Sequence, residues 1–296
     1  MIDLARLKSD VIILAGQSNA EGNGIRVGSD EYLCSPDVYM LYDKNADTLY
    51  YDDDGNLIVP KQMEIVAEKY AERRANGVKF AEITRKFTED YIKDGLLEKG
   101  RKLLVIKAGF GGAGFAKDRW GVGNVLSDRM LKMTDYALSL NQENRIVAFL
   151  WHQGEHDAFE REWLSPKERK ALYYEDLKRQ LTAVRNRYSK NPIPVICGEM
   201  VNDWADKNKD ATDAIEEATR EVLFDIGFGA MVSSEGLLSN DQCLHNGDGI
   251  HFCAAATDEL GDRYFAAYKR EKTAKKGKQS IRARARPRVN STKKSP

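Results

Sequence analysis

Five short apolar runs recur along the chain, Val11 to Ala15, Leu103 to Ala108, Ile146 to Trp151, Ile193 to Cys197 and Ala230 to Val232, with amphipathic stretches between them. A strand apolar on both faces belongs inside a sheet that is covered on both sides, and helical crossovers supply that cover. The alternation predicts a three-layer, doubly wound α/β/α sandwich around a mostly parallel sheet of about five strands. Phe80, Ile83, Phe87 and Tyr91 repeat at helical spacing up to Gly95, a residue suited to a left-handed cap. Ser165, Pro166 and Glu168 read as an N-cap, an N1 proline and a capping-box acid, followed by a stripe of Leu172, Leu177, Leu181, Val184 and Tyr188. Leu260, Tyr264 and Tyr268 mark a further helix, and Val38 to Tyr51 reads as an edge hairpin.

A chain of 296 residues with 42% hydrophobic and 31% charged residues can bury one large soluble domain, expected over residues 1–271. No apolar run approaches the roughly 20 residues of a membrane span, and "MIDLARLKSD" lacks the apolar stretch of a secretory signal. The expectation is a cytoplasmic protein without membrane contact. Cys34, Cys197, Cys243 and Cys253 show no CxxC spacing, so free buried thiols are expected in place of a disulfide framework or a zinc knuckle. The net charge of zero hides an asymmetry: residues 272–296 hold ten Lys or Arg and no acid, leaving 36 basic against 46 acidic residues elsewhere. This tail is predicted to be disordered, either simply solvated or making a weak contact with a polyanion.

Four strand ends carry chemistry-bearing loops. The first delivers Gly16-Gln17-Ser18-Asn19, a turn able to present a serine hydroxyl and its own backbone amide, though taken alone it is also an ordinary polar turn. After the second strand, Gly109, Gly111 and Gly114 satisfy G-x-G-x-x-G, but no apolar helical pattern follows and no strand-end acid lies about 20 residues on, which argues against a dinucleotide site. Gly111 or Gly112 is instead a candidate oxyanion donor. The third strand ends in "WHQGEHD". His152, Glu155 and His156 spell H-x-x-E-H, a metal-binding pattern that needs an unbroken helix, and Gly154 interrupts it; Gln153 offers a side-chain amide donor. Last, "DGIH" sets Asp248 three residues before His251, a spacing that lets the carboxylate hold one ring nitrogen while the other faces a reaction.

Taken together, a serine, a glycine amide, a side-chain amide and an Asp-His pair at successive strand ends make a complete acyl-transfer site. The motifs "GQSNAEG", "FGGAGF", "LWHQGEHDA" and "DGIHF" over about residues 11–268 resemble the sialate O-acetylesterase and acetylxylan esterase related family of the SGNH hydrolases. The resemblance implies a flavodoxin-like sheet in order 2-1-3-4-5, with Ser18 as nucleophile, His251 as general base and then acid, and Asp248 as its orienting partner. It implies an oxyanion hole from the Ser18 amide, Gly112 or Gly111, and Gln153. Gln17, Asn19, Glu155 and Asp157 are implied as supports of the site. Ala113 and His156 depart from the family's usual Ser or Thr and small Ser, which bears on the acyl or sugar pocket. The implied substrate is an acetylated carbohydrate, with no metal or organic cofactor. Two rivals stay open: a metallohydrolase built on the H-x-x-E-H stretch, and a glycan-binding pseudoenzyme.

Overall fold

The computed structural model describes residues 4–27, 34–53, 56–59, 61–188 and 193–284. Its central sheet is built from β1 (Lys8–Gly16), β2 (Val38–Asp43), β3 (Ile65–Lys69), β4 (Arg101–Gly109), β5 (Arg145–His152), β6 (Val195–Gly198) and β7 (Gly229–Val232). The spatial order is β7-β6-β5-β1-β4-β2-β3, and every neighbouring pair is parallel except β2 with β3. The five predicted strands are β1, β4, β5, β6 and β7, and they stand in the 2-1-3-4-5 order. The other two strands correct the expected count. Val38 to Tyr51 is not an edge hairpin: β2 lies inside the sheet because Val38, Tyr39, Met40 and Leu41 are apolar in succession and all buried. Its antiparallel partner is β3, while Tyr50–Tyr51 pairs separately with Leu57–Ile58.

The helices are α1 (Ser18–Glu21), α2 (Ile83–Lys93), α3 (Val125–Ser139), α4 (Glu155–Glu160), α5 (Pro166–Arg187), α6 (Asn202–Lys207), α7 (Lys209–Ile226), α8 (Asn240–Leu244) and α9 (Ala254–Arg284). Helices α2 and α9 pack together on one face; α3, α5 and α7 cover the other, with α5 against α7. The capping box of α5 forms, with Ser165 N donating to Glu168 Oε2 at 3.0 Å. The buried apolar stripe of α5 starts at Tyr173, however, and Leu172 is 47% exposed on the outer face. Phe80 sits in a short strand, Val78–Ala81, of a small antiparallel sheet, so α2 begins only at Ile83.

Leu260, Tyr264 and Tyr268 are buried along α9. The same helix continues through the first half of the predicted disordered tail as far as Arg284, so no element ends at residue 271. Lys, Ala, Gln and Arg are strong helix formers, and the Lys275 ammonium lies 4.2 Å from the Phe228 ring, which gives the extension a packing contact. Residues 285–296 of that predicted tail lie outside the described residues. All four cysteines are free, but only Cys197 and Cys253 are buried. Among the described residues no helix is long and apolar enough to cross a membrane.

Register positions the chemistry. Gly16 at the end of β1 stands level with Gly109 of β4 on one side and His152 of β5 on the other. The three loops that follow these residues therefore open side by side at the carboxyl edge of the sheet, where ligands bind in folds of this kind.

Candidate active site

Gly16 allows β1 and β5 to close up before the chain turns. A Cβ there would lie 2.0 Å from the His152 carbonyl oxygen, the same oxygen that accepts a hydrogen bond from Gln17 N at 2.9 Å. The chain then enters α1 with Ser18 as its first residue, 8% exposed. His251 arrives from the loop before α9. Its Nε2 lies 2.8 Å from Ser18 Oγ, and its Nδ1 lies 2.9 and 3.0 Å from the two carboxylate oxygens of Asp248. Burial would push the Asp248 carboxyl up, but hydrogen bonds from His251 and Asn240 outweigh it and hold the group below the ordinary aspartate range.

Asn240 has no sequence signature of its own. Fully buried, it donates through Nδ2 to Asp248 Oδ2 at 2.8 Å and to the Asn23 carbonyl at 2.9 Å, and it accepts from Ile25 N at 3.0 Å. The signal that points to it is local: Ser239 and Gln242 form a capping box that opens α8 and sets Asn240 at its first turn.

The predicted supports converge from the other side. Asn19 Nδ2 donates to Glu155 Oε1 at 2.7 Å and to the Ile250 carbonyl at 3.2 Å, while its Oδ1 accepts from Phe252 N at 3.2 Å. One asparagine thus grips the peptides on both sides of His251. Gln17 Oε1 accepts from Gln153 Nε2 at 3.2 Å and from His156 N at 3.1 Å. Asp157 accepts from Phe115 N and Ala116 N, both at 2.9 Å, and so ties the glycine loop to α4. A Cβ at Gly114 would lie 2.4 Å from Asp157 Oδ2, so that carboxylate occupies the space only glycine leaves. Burial raises both Glu155 and Asp157 against the hydrogen bonds they accept.

Gly111 brings the glycine loop beside Ser18: a Cβ there would be 3.9 Å from Ser18 Cβ. The Gly112 carbonyl accepts from Arg119 Nη1 at 2.6 Å. Gln153 is placed differently from the expectation of a donor facing the reaction. It is buried, and its Nε2 hydrogens go to Asp157 Oδ2 at 2.7 Å and Gln17 Oε1 at 3.2 Å, while its Oε1 accepts from Tyr173 OH at 2.9 Å. The same hydroxyl lies 3.0 Å from the Gln153 backbone carbonyl, so its single hydrogen is shared between the two oxygens, a role hidden in the sequence one position away from Leu172.

The H-x-x-E-H histidines do not face one another's ligands. His152 ends a strand, is fully buried, and places Nδ1 3.0 Å from Tyr264 OH; burial lowers its pKa to about 4. His156 lies on α4 against Arg119 and Glu160, and burial followed by the Arg119 charge lowers it to about 4 as well. Among the described residues no group of three or more His, Cys, Asp or Glu side chains is arranged to hold a metal ion. Ala113 is fully buried, so the departure there does not reach an open pocket. A cavity of about 460 Å³ lies beside α1, walled by Ala20, Glu21, Gly109, Phe110, Arg129 and Met130 among others.

Solved structures share this architecture. NanS superposes with a TM-score of 0.64 at 17% identity, over 88% of this chain and 97% of its own. A protein from Arabidopsis thaliana gives 0.60 at 19% identity, over 88% and 98%. A carbohydrate acetylesterase from Xanthomonas citri gives 0.52 at 13% identity, over 87% of this chain and 55% of its own. No curated protein matches the chain. Residues 8–270 match the family described as carbohydrate esterase, sialic acid-specific acetylesterase, and with that span the chain belongs to this family of the SGNH hydrolases.

Proposed function

We propose that the chain is a serine-dependent carbohydrate O-acetylesterase in which Ser18, His251 and Asp248 are the reacting groups. The observation that carries this reading is the continuous contact from Asp248 through both ring nitrogens of His251 to the Ser18 hydroxyl. His251 takes the Ser18 proton as Oγ attacks the ester carbonyl, and Asp248 stabilises the imidazolium. The tetrahedral oxyanion is held by the Ser18 backbone N–H and that of Gly111 or Gly112. Gln153 joins them by exchanging its longer bond, the one to Gln17, for the developing charge. His251 then protonates the leaving sugar oxygen. Water, activated by the same ring, cleaves the acetyl-serine ester and releases acetate, restoring the serine.

The family description supports an acetylated sugar; sialate and xylan esters are both read as candidates. Acetate release from acetylated sialic acids, acetylated xylo-oligosaccharides and a chromogenic acetate tests the proposal. Ser18→Ala is expected to lower kcat by at least about 10,000-fold on whichever ester the wild type cleaves. A chelator-sensitive activity that survives in Ser18→Ala would select the metallohydrolase instead. A wild type inert on every ester would select the binding protein.

A further inference from the structure

Beneath the reacting groups, two neighbouring, fully buried side chains each hold a polar atom without a hydrogen-bond partner. Among the described residues, Nε2 of His152 and Oε2 of Glu155 have no hydrogen-bond partner, and Nε2 lies 4.0 Å from the other glutamate oxygen, Oε1. Which atom carries a hydrogen follows from the chain of bonds behind them. The Tyr264 hydroxyl has one hydrogen and donates it to the Trp151 carbonyl at 3.0 Å. Its oxygen is therefore the acceptor for His152 Nδ1, 3.0 Å away, so Nδ1 bears the ring proton. Gly198 leaves room for this contact, since a Cβ there would lie 2.7 Å from Nδ1 and 2.5 Å from the Tyr264 oxygen.

Neutral His152 then presents a bare lone pair at Nε2. An ionised Glu155 would set one acceptor against another in a buried site, leaving Nε2 and Oε2 without a hydrogen-bond donor. A protonated carboxyl supplies the missing hydrogen once it turns and closes on Nε2, from the 4.0 Å at which Oε1 stands to a hydrogen-bond length of about 2.8 Å. In the structure Oε1 also accepts from Asn19, at 2.7 Å.

We propose that Glu155 is a neutral positioning residue: its protonated carboxyl donates to Nε2 of His152 and accepts from Asn19, while Asn19 grips the peptides on either side of His251. The proposal rests on the reading of Ser18, His251 and Asp248 as the reacting groups. It makes the fifth residue of "WHQGE" part of the apparatus that aims the general base, through a hydrogen-bond chain running Trp151, Tyr264, His152, Glu155, Asn19 and the His251 loop.

Glu155→Leu, which removes both bonds at little change in volume, is expected to lower kcat by about 100-fold, the scale of a misplaced catalytic group. Glu155→Gln reproduces the protonated acid, with an oxygen for Asn19 and an N–H for His152, and is expected to recover most of that loss with the acid limb of the pH profile unmoved. Infrared difference spectroscopy of the wild type against Glu155→Gln at neutral pH is expected to show a protonated-carboxyl C=O band that disappears in the variant. This readout needs no turnover and stands even if Glu155→Leu fails to fold. Absence of the band, a Glu155→Gln enzyme no better than Glu155→Leu, or a displaced acid limb would each overturn the proposal. Ser18→Ala is assayed in parallel: retained turnover there would remove the reading of the reacting groups, while the infrared band still judges Glu155 on its own.

Discussion

The two ends of the parallel sheet bury carboxylates in opposite ways. At the amino end, Asp10 is fully buried on β1 and meets two guanidiniums, Arg101 Nε at 2.8 Å and Arg145 Nε at 2.7 Å, with the Tyr91 hydroxyl at 2.9 Å. At the carboxyl end, Glu155 and Asp157 are equally buried but are held chiefly by uncharged donors: Asn19 for the first, Gln153 and two backbone amides for the second, with Arg161 no nearer than 3.5 Å. Charge pairs fix one end as structure. Amide donors at the other end fix geometry with little added charge, which leaves Asp248 as the carboxylate bonded to His251. The direction of the shifts follows, since Glu155 and Asp157 are raised by burial while Asp248 is lowered once its hydrogen bonds are counted.

The sharpest way to break this contrast is Asp10→Asn. Removing one partner of a buried ion pair costs about 3–5 kcal/mol because the guanidiniums left behind have lost their counter-charge. Chemical denaturation should show that loss, while turnover per folded molecule stays at the wild-type level. A variant as stable as the wild type, or one with kcat reduced in the folded fraction, would show that the two ends are not separable.

Gln153→Ala probes the opposite end. Under the proposed mechanism the variant removes an oxyanion donor, which lowers kcat by about 100- to 1,000-fold, and it also releases Asp157 and Gln17. Tyr173→Phe sharpens the result: it frees the Gln153 carbonyl side without touching the Nε2 donor, so its kcat should fall between wild type and Gln153→Ala. Equal defects in the two variants would mean that Gln153 acts only by holding the loop.

His152 links the ends through pH. Its folded pKa, about 4, lies below the ordinary histidine value of 6.5, so between those values the unfolded chain binds a proton that the native state refuses. Stability on this account is complete above pH 6.5 and falls as pH drops toward 4, by on the order of 3 kcal/mol in all. Glu155 and Asp157, both raised, act in the other sense, which makes the informative quantity the difference between wild type and His152→Gln. The variant's stability should decline less steeply over that range; identical slopes would mean that His152 titrates normally in the fold.

The sequence carries the carboxyl end of the sheet better than the amino end. Ser18, Asp248 and His251 stand beside glycines in loops that a packing argument alone does not require, so their types and spacing point to chemistry. The five strands are visible because both of their faces are apolar. Asp10 interrupts that signal: β1 begins at Lys8, three residues before the apolar run, and only the distant arginines of β4 and β5 make a buried aspartate tolerable there. The inner position of β2 is hidden for a similar reason, since its neighbours β4 and β3 lie far along the chain. Tyr173 shows the limit of periodicity, because a helical stripe read from leucines finds the buried Leu177, Leu181 and Val184 but starts on exposed Leu172 in place of Tyr173. The commitment of Gln153 to Asp157 and Gln17 depends on three loops meeting, which no local pattern encodes.

Asn240 offers the finest discrimination, because it adjusts the one carboxylate that the contrast leaves ionised beside the histidine. Its Nδ2 hydrogen bond helps hold Asp248 low, so Asn240→Ala should let the Asp248 carboxyl rise toward the ordinary aspartate value. A carboxyl that protonates at higher pH loses its grip on His251 Nδ1 sooner, which moves the acid limb of kcat/KM upward in pH. At neutral pH the remaining effect is positional and is expected to be about tenfold in kcat, equivalent to about 1.4 kcal/mol. Asn240→Asp separates charge from position: a second carboxylate against Asp248 Oδ2 raises the Asp248 carboxyl further than the alanine does, so its acid limb should lie at the higher pH of the two. If both variants keep the wild-type profile, Asp248 is held by His251 alone, and the buried asparagine serves only the backbone it shares with Ile25 and Asn23.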